Sequence, residues 1–479
     1  MVVFGRIADG VAWGVDTVSS TVSEAFFEPV VRLGVTGLSR AGKTVFITAL
    51  VANLMDRGRM PQLRAAASGT IQAAWLQPQP DVTLPRFEYE AHLAALSGPD
   101  PHWPESTRAI SELRLSLRLQ PTGLMGTLGG PRTLHLDIVD YPGEWLLDLS
   151  LLEKTYAQWS AETLARLQGR PEAAAYLAAA DAAEAGAAHD EATARALAAS
   201  FTGYLQAARA AGWSDCTPGR FLLPGDLAGA PVLTFAPLTR PERARPGLWR
   251  ASLWREMEKR FEGYKRAVVR PFFNDHFARI DRQVVLADVL GALHAGPAAV
   301  DDMRRTLAEI LGACRPGRTA FLTRLWSGRR VGRILFAATK ADHLHHSQHE
   351  RLGAIMSAML REARDRAAFA GARTEALSIA SLRTTVEETR THWGRPLDCV
   401  RGRLERTGRQ AAFHAGELPD DPNALLAPAR EGAARWLDAD YGMMQFAPAP
   451  LTLRPGEGPP HIRLDRAAEF LVGDRLLRG

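Results

Sequence analysis

Eight residues near the start of the chain carry its most specific chemistry. Gly37-Leu-Ser-Arg-Ala-Gly42-Lys43-Thr44 reads G-x-x-x-x-G-K-[ST]. The glycines let the backbone curl so that successive N–H groups face one anion, and a helix that follows adds the partial positive charge of its N-terminus. The Lys43 ammonium is compact enough to reach between a β- and a γ-phosphate, and the Thr44 hydroxyl suits Mg²⁺. Gly37, Ser39, Arg40, Ala41, Gly42, Lys43, Thr44 and Val45 are therefore candidate nucleotide-binding residues.

A second cluster is Asp140-Tyr-Pro-Gly143-Glu144, which ends the strand-like run 133–140. An aspartate at a strand end beside a phosphate loop can hold Mg²⁺ through water, and the Gly143 N–H can bond a γ-phosphate and release it after hydrolysis. Glu144 follows directly, where a carboxylate could orient water or act as a base, or could equally repel the γ-phosphate and turn away. Thr107, just before the alternating leucines of 111–119, is where a first switch would reach Mg²⁺; Thr70 and Thr83 are less well placed. The candidate catalytic residues are Lys43, Thr107, Gly143 and Glu144, and the candidate metal ligands are Thr44, Thr107 and Asp140. Arg40 and Arg108 are candidate charge-stabilising arginines. No strong arginine in cis is evident, so fast turnover is expected to need a protein partner or activator.

The third cluster is Thr339-Lys340-Ala341-Asp342, at the end of the apolar run 331–339. A carboxylate such as Asp342 can accept from both N1–H and the 2-amino group of guanine, whereas adenine has no donor at N1 and no 2-amino group. The Lys340 stem can lie over a base. Thr339 replaces the asparagine of N-K-x-D, keeping a hydroxyl and losing an amide. Ala380, Ser381 and Leu382, after the run from Thr374, supply a small-residue loop at the same end.

These residues need strands that end together and helices that start there. Val30–Thr36, rich in Val and Leu, reads as a buried strand, and 45–55 as the helix after the loop. Residues 282–290 read as a strand and 299–314 as a helix. The expected fold is α/β, a P-loop NTPase domain with a mostly parallel sheet flanked by helices. It would span 30–145 and 281–384. A mainly helical insertion would occupy 146–280, Ala-rich around 161–211 and Pro/Gly-punctuated at 218–231. The C-terminal extension, 385–479, has helices at 423–437 and 464–477 and no readable chemistry. Residues 1–29 read as an amphipathic helix through Phe4, Ile7, Val11, Val15, Val18, Val22 and Phe26, expected to dock on its own domain; a peripheral membrane or partner contact is the alternative.

Composition narrows the class. The 479 residues carry 58 Lys+Arg against 53 Asp+Glu, a net +5 with no basic block, which argues against nucleic acid as partner. Three cysteines, Cys216, Cys314 and Cys399, with no C-x-x-C pair, suit a reducing compartment. No apolar run approaches 18 residues and no signal peptide is read, so a cytoplasmic protein without a transmembrane segment is expected. Only five of the basic residues are lysine. Two of these, Lys43 and Lys340, fall in nucleotide motifs; Lys154, Lys259 and Lys265 read as surface charges. His343, His345, His346 and His349 cluster after Asp342, with no carboxylate or cysteine spacing that marks a metal site, and read as a solvated loop.

The chain resembles the YcjX family of bacterial P-loop proteins. The resemblance is carried by Val35–Thr48, Ile138–Leu149, the Pro218–Leu227 loop and Pro460–Arg466, and it covers essentially the whole chain. It implies a stress-associated cytoplasmic protein with a Ras-like G domain and a large helical insertion. The function expected is binding of GTP/GDP with Mg²⁺ and slow GTP hydrolysis in a nucleotide-dependent switch. An ATP-dependent ATPase or kinase, or a non-hydrolysing scaffold stabilised by nucleotide, stays open.

Overall fold

The computed structural model describes residues 28–38, 40–105, 109–120, 130–241, 249–313, 331–361, 372–436 and 440–477. The helix read in the first 26 residues, and Ser39, Thr107 and Arg108, lie outside the described residues.

Seven strands form the main sheet: β1 (Val30–Gly37), β2 (Ile71–Gln77), β3 (Ser111–Leu119), β4 (Arg132–Asp140), β5 (Arg282–Ala287), β6 (Arg333–Ala338) and β7 (Arg373–Ser378). Their order is β2-β3-β4-β1-β5-β6-β7. β1 is parallel to both β4 and β5, and β5, β6 and β7 run parallel in turn; β2–β3 and β3–β4 are antiparallel. This is the mixed, mostly parallel α/β sheet expected of a P-loop NTPase fold. Val35 pairs with Asp140, Gly37 with Leu286, Ala287 with Ala338, and Ala338 with Ser378. The motif-bearing loops thus leave the sheet along one carboxyl edge, the usual ligand edge of such sheets.

Burial on both faces explains the continuous apolar runs. Leu33 and Val35 of β1 are fully buried. On one face the helix Lys43–Met55 and the C-terminal helix Leu464–Leu476 cover the sheet through Phe46, Ile47, Leu50, Leu464 and Leu471. On the other face, Val285 and Phe336 share one core with Trp145, Tyr156, Trp159, Phe201, Phe235, Phe261 and Tyr264. Most of those aromatics come from residues 148–280, which are mainly helical, with helices at Tyr156–Leu167, Ala174–Ala182, Glu191–Ala211 and Leu253–Tyr264. A π-helical turn, Lys265–Val269, follows the last. Lys265 is buried, contrary to the surface reading; its ammonium donates to Lys154 O at 2.8 Å.

Three expectations need correction. The strand at 282–290 stops at Ala287, because Asp288 caps a new helix, Val289–Ala295, by accepting from Gly291 N at 3.0 Å. β2 went unread. The C-terminal extension is not only helix and loop: β8 (Thr385–His392), β9 (Arg395–Arg403) and β10 (Gln410–Phe413) form an antiparallel sheet. The β8–β9 turn is Trp393-Gly394 with φ of 51° and 74°, a two-residue turn of the kind whose twist suits hairpins.

Candidate functional site

A cavity of about 420 Å³ opens at the carboxyl edge. The phosphate-loop residues Gly37, Arg40, Ala41, Gly42, Lys43, Thr44 and Val45 line it. So do Glu144, Thr339, Lys340, Asp342, Ala380, Ser381 and Leu382. Segments separated by more than 300 residues therefore meet at one place. The remaining lining includes Trp103, Arg209, Thr384, Glu405, Met443, Gln445 and Phe446.

Arg40 (φ 62°) and Gly42 (φ 76°) both occupy the left-handed region, which curls the loop before the helix begins at Lys43. Glycine takes this conformation freely, whereas Arg40 carries a strain of roughly 1–2 kcal/mol. The Lys43 ammonium lies 2.5 Å from Asp140 Oδ1. Asp140 is 1% exposed, and its Oδ2 is buried without a hydrogen-bond partner among the described residues. An orphaned carboxylate oxygen on Asp140 and a hydroxyl on Thr44, which follows the lysine paired with that carboxylate, are oxygen donors of the kind that suit Mg²⁺. Gly143 does not line the cavity. It packs against the phosphate loop, where a Cβ would meet Gly37 O at 2.1 Å, so only glycine allows this approach.

Glu144 lines the cavity, paired with Arg209: Arg209 Nε stands 3.3 Å from Glu144 Oε1. Arg209 lies in the last turn of Glu191–Ala211, and Arg40 Nη2 reaches Ala210 O at 3.5 Å. An arginine thus faces Glu144 from a helix whose Ala-rich sequence gave no hint of it.

The element carrying Glu144 is clamped below. Asp148, fully buried, accepts from Gly219 N at 2.8 Å and from the Tyr264 hydroxyl at 2.5 Å. A Cβ on Gly219 would meet the Glu144 backbone at 2.6 Å, and the Arg220 guanidinium lies 3.3 Å from the centre of the Trp145 ring. Burial pushes the Asp148 carboxyl up to about 7, although Tyr264, Gly219 and Arg220 pull it down. A folded-state value above the unfolded one means that the stability it contributes is present in acid and lost as pH rises through about 7. Asp148→Asn keeps both hydrogen bonds in shape, with its amide donating to Tyr264. Thermal melts between about pH 5 and about pH 8 should show the parent losing roughly 2–3 kcal/mol relative to this variant. Parallel curves would refute the assignment.

On the far side, Asp342 is 4% exposed, and its Oδ2 accepts from Thr384 N at 2.9 Å and Thr384 Oγ1 at 2.7 Å. Thr385 Oγ1 donates to the Asp342 carbonyl. Thr339 spends its hydroxyl on Ala287 O at 3.3 Å. Lys340, at φ 60°, sends its ammonium to Asp288. Asp288 was missed because the apolar run seemed to continue through it. His343 is buried edge-on to Phe446, ring centroids 5.1 Å apart, and burial lowers its pKa.

The C-terminal extension takes part in this wall. Trp103 Nε1 donates to Phe446 O at 2.9 Å. Ala380 and Ile462 exchange backbone hydrogen bonds at 3.1 and 2.8 Å, Arg383 N donates to Pro460 O at 2.8 Å, and Asn53 Nδ2 donates to Pro459 O at 3.1 Å. Residues 459–462 therefore brace the 380–383 loop against the helix that follows the phosphate loop. No helix among the described residues is long and apolar enough to cross a membrane.

The sequence is similar to known proteins along nearly its full length. It is 37% identical over 460 residues to the Ras-like GTPase YcjX of Escherichia coli (strain K12), covering 93% of this chain and 96% of that protein. It is 34% identical over 470 residues to the Ras-like GTPase YcjX of Shewanella oneidensis, covering 93% and 94%. Residues 31–476 match the YcjX-like family, DUF463. With its phosphate loop, its D-x-x-G strand end and this coverage, the chain belongs to the YcjX-like family.

Proposed function

We propose that this cavity binds a guanine nucleotide and that the chain hydrolyses GTP slowly, as a nucleotide-dependent switch. The observation that carries the reading is the convergence of the Lys43 loop and the Asp342 carboxylate on one cavity. Phosphates would lie along the curled backbone of 37–45, with the Lys43 ammonium against them. Mg²⁺, held by Thr44 and Asp140, would offset charge on the phosphate oxygens when bound. At the other end, Thr384 holds Asp342 through Oδ2, and Oδ1 would accept from the base edge. The two relatives are called Ras-like GTPases, which agrees with this base preference.

Slow turnover is in keeping with the pairing of Glu144 with Arg209, which leaves each group partly committed to the other. A carboxylate neutralised by a guanidinium is poorly placed to orient water. On this reading residues 30–145 and 281–384 form the nucleotide-binding unit. Residues 146–280 would relay its state, since they clamp the element that senses the γ-phosphate.

The test is affinity for GTP, ATP and XTP in the parent and in Asp342→Asn, by titration of fluorescent analogues. The variant should lose GTP affinity by about 10²–10³-fold and gain affinity for XTP, because an amide can donate to the 2-oxo group that replaces the 2-amino group. Equal GTP and ATP affinity in the parent would sink guanine recognition and favour an ATP-dependent enzyme. Tight binding without any turnover would favour a scaffold.

A further inference from the structure

The histidines after Asp342 read from sequence as a solvated loop without a carboxylate. The fold supplies the carboxylate from 41 residues further along, and here we propose that His345, His346 and Glu387 form a site for a divalent transition-metal ion. One ligand atom from each lies within 4.8 Å of the other two. His346 Nδ1 is 2.6 Å, and His345 Nε2 3.8 Å, from Glu387 Oε2. Metal bonds of about 2.0–2.2 Å in tetrahedral geometry set ligand atoms roughly 3.3 Å apart, so small side-chain rotations suffice.

What surrounds these three residues is built as the support of such a site. A metal-bound imidazole needs an acceptor at its other nitrogen to fix its tautomer. His345 Nδ1 has Ser347 Oγ at 2.9 Å and Asp398 Oδ2 at 3.5 Å. Glu387 pairs with Val400 and Thr389 with Asp398, so the two carboxylates share one face of the β8–β9 pair with His345 set over them. Arg383 Nη2 donates to Glu387 Oε1 at 3.2 Å, which aims Oε2 at the imidazoles. The His345 side chain is only 12% exposed, whereas that of His346 is 68% exposed, so solvent can reach the fourth coordination position.

The alternative is a plain ion pair of protonated His346 with Glu387. A pair so exposed is worth little, and it does not use the second imidazole, His345, whose Nε2 stands 3.8 Å from the same oxygen. Two imidazoles and one carboxylate suit Zn²⁺, Ni²⁺ or Co²⁺ and do not suit Mg²⁺. The ion would tie the loop three residues beyond Asp342 to β8. Thr384 and Thr385, which grip Asp342, immediately precede or begin β8. The proposal needs no nucleotide.

The test uses the full chain, stripped with chelator, titrated calorimetrically with Zn²⁺ and followed by visible absorption with Co²⁺. One ion per chain is expected, with Co²⁺ ligand-field bands of a low-coordinate nitrogen–oxygen site. His346→Ala, on an exposed side chain, and Glu387→Gln should each weaken Zn²⁺ binding by about 100-fold or more, while Asp398→Asn should weaken it by about 10–100-fold. The exposed His102→Ala should change nothing. No binding in the parent, or equal binding in His346→Ala and Glu387→Gln with melting temperatures kept, overturns the site.

Discussion

Lys43→Ala is expected to lower nucleoside triphosphate affinity by at least about 100-fold, measured by titration with a fluorescent analogue. The loop's backbone N–H groups supply partial charges, whereas the Lys43 ammonium brings a full positive charge at the helix start. A charged hydrogen bond to phosphate is worth roughly 1.5–3 kcal/mol, and two phosphates share this one. The same change should also destabilise the protein without ligand. Asp140 is almost fully buried, and its partner at 2.5 Å would be gone. Breaking a buried pair from one side costs roughly 3–5 kcal/mol. Adding Asp140→Asn removes the orphaned charge, so the double variant should regain melting temperature without regaining affinity. If stability and affinity recover together, the Lys43 effect is a folding effect and the phosphate role is wrong. Lys43→Arg should not rescue binding, because a planar guanidinium does not fit a point-charge position between two phosphates.

Arg209→Ala is the second. Single-turnover GTP hydrolysis should fall by about 10²–10³-fold, with GTP affinity within a few-fold of the parent. An arginine supplied in cis stabilises charge that develops on the transferring phosphoryl group and is worth 10³–10⁵ in well-poised enzymes. Arg209 here is partly committed to Glu144, so a smaller factor is expected. The two groups share the cavity with Lys43, so leaving Glu144 for phosphate keeps the guanidinium within the same space. Arg209→Lys should restore little, since the ammonium lacks the fork that can serve a carboxylate and a phosphate together. An unchanged rate would remove Arg209 from the chemistry. A rise would make it a restraint on Glu144.

How much of this was legible differs by element. β1, β4 and β6 could be read because buried parallel strands are nearly continuous apolar runs, and each ends in a motif with its own chemistry. The phosphate loop and Thr339–Asp342 were readable for the same reason: sequence spacing there is also spatial spacing. β2, Ile-Gln-Ala-Ala-Trp-Leu-Gln, is a half-exposed edge strand with neither clean alternation nor an apolar run. β8, Thr-Val-Glu-Glu-Thr-Arg-Thr-His, is largely polar, and its pairing with β9 is enforced by the Trp393-Gly394 turn. Arg209, Asp288, Thr384 and Phe446 were invisible as site residues because their roles come from packing across long separations, and nothing local marks them. The carboxylate beside the histidines was hidden in the same way, on a strand not read as one.

The aromatic core shared by the sheet and the helices of 148–280 sets how far any mechanical signal can travel. Tyr141 and Trp145 pack edge-on to Phe272 at 5.8 and 6.0 Å, within the cluster that also holds Phe261 and Tyr264. Swinging those helices away like a hinged lid would wet several such rings, at roughly 1.5–3 kcal/mol each. Coupling between a ligand and a distant element is usually about 1–3 kcal/mol, too little for that work. If the proposed switch operates, a triphosphate would drive a slide of one packed surface over another by about 1–2 Å, with the rings kept dry. On the proposed switch reading the chain would be geared for short strokes, and a partner would sense a tilt in a continuous surface instead of an opened cleft.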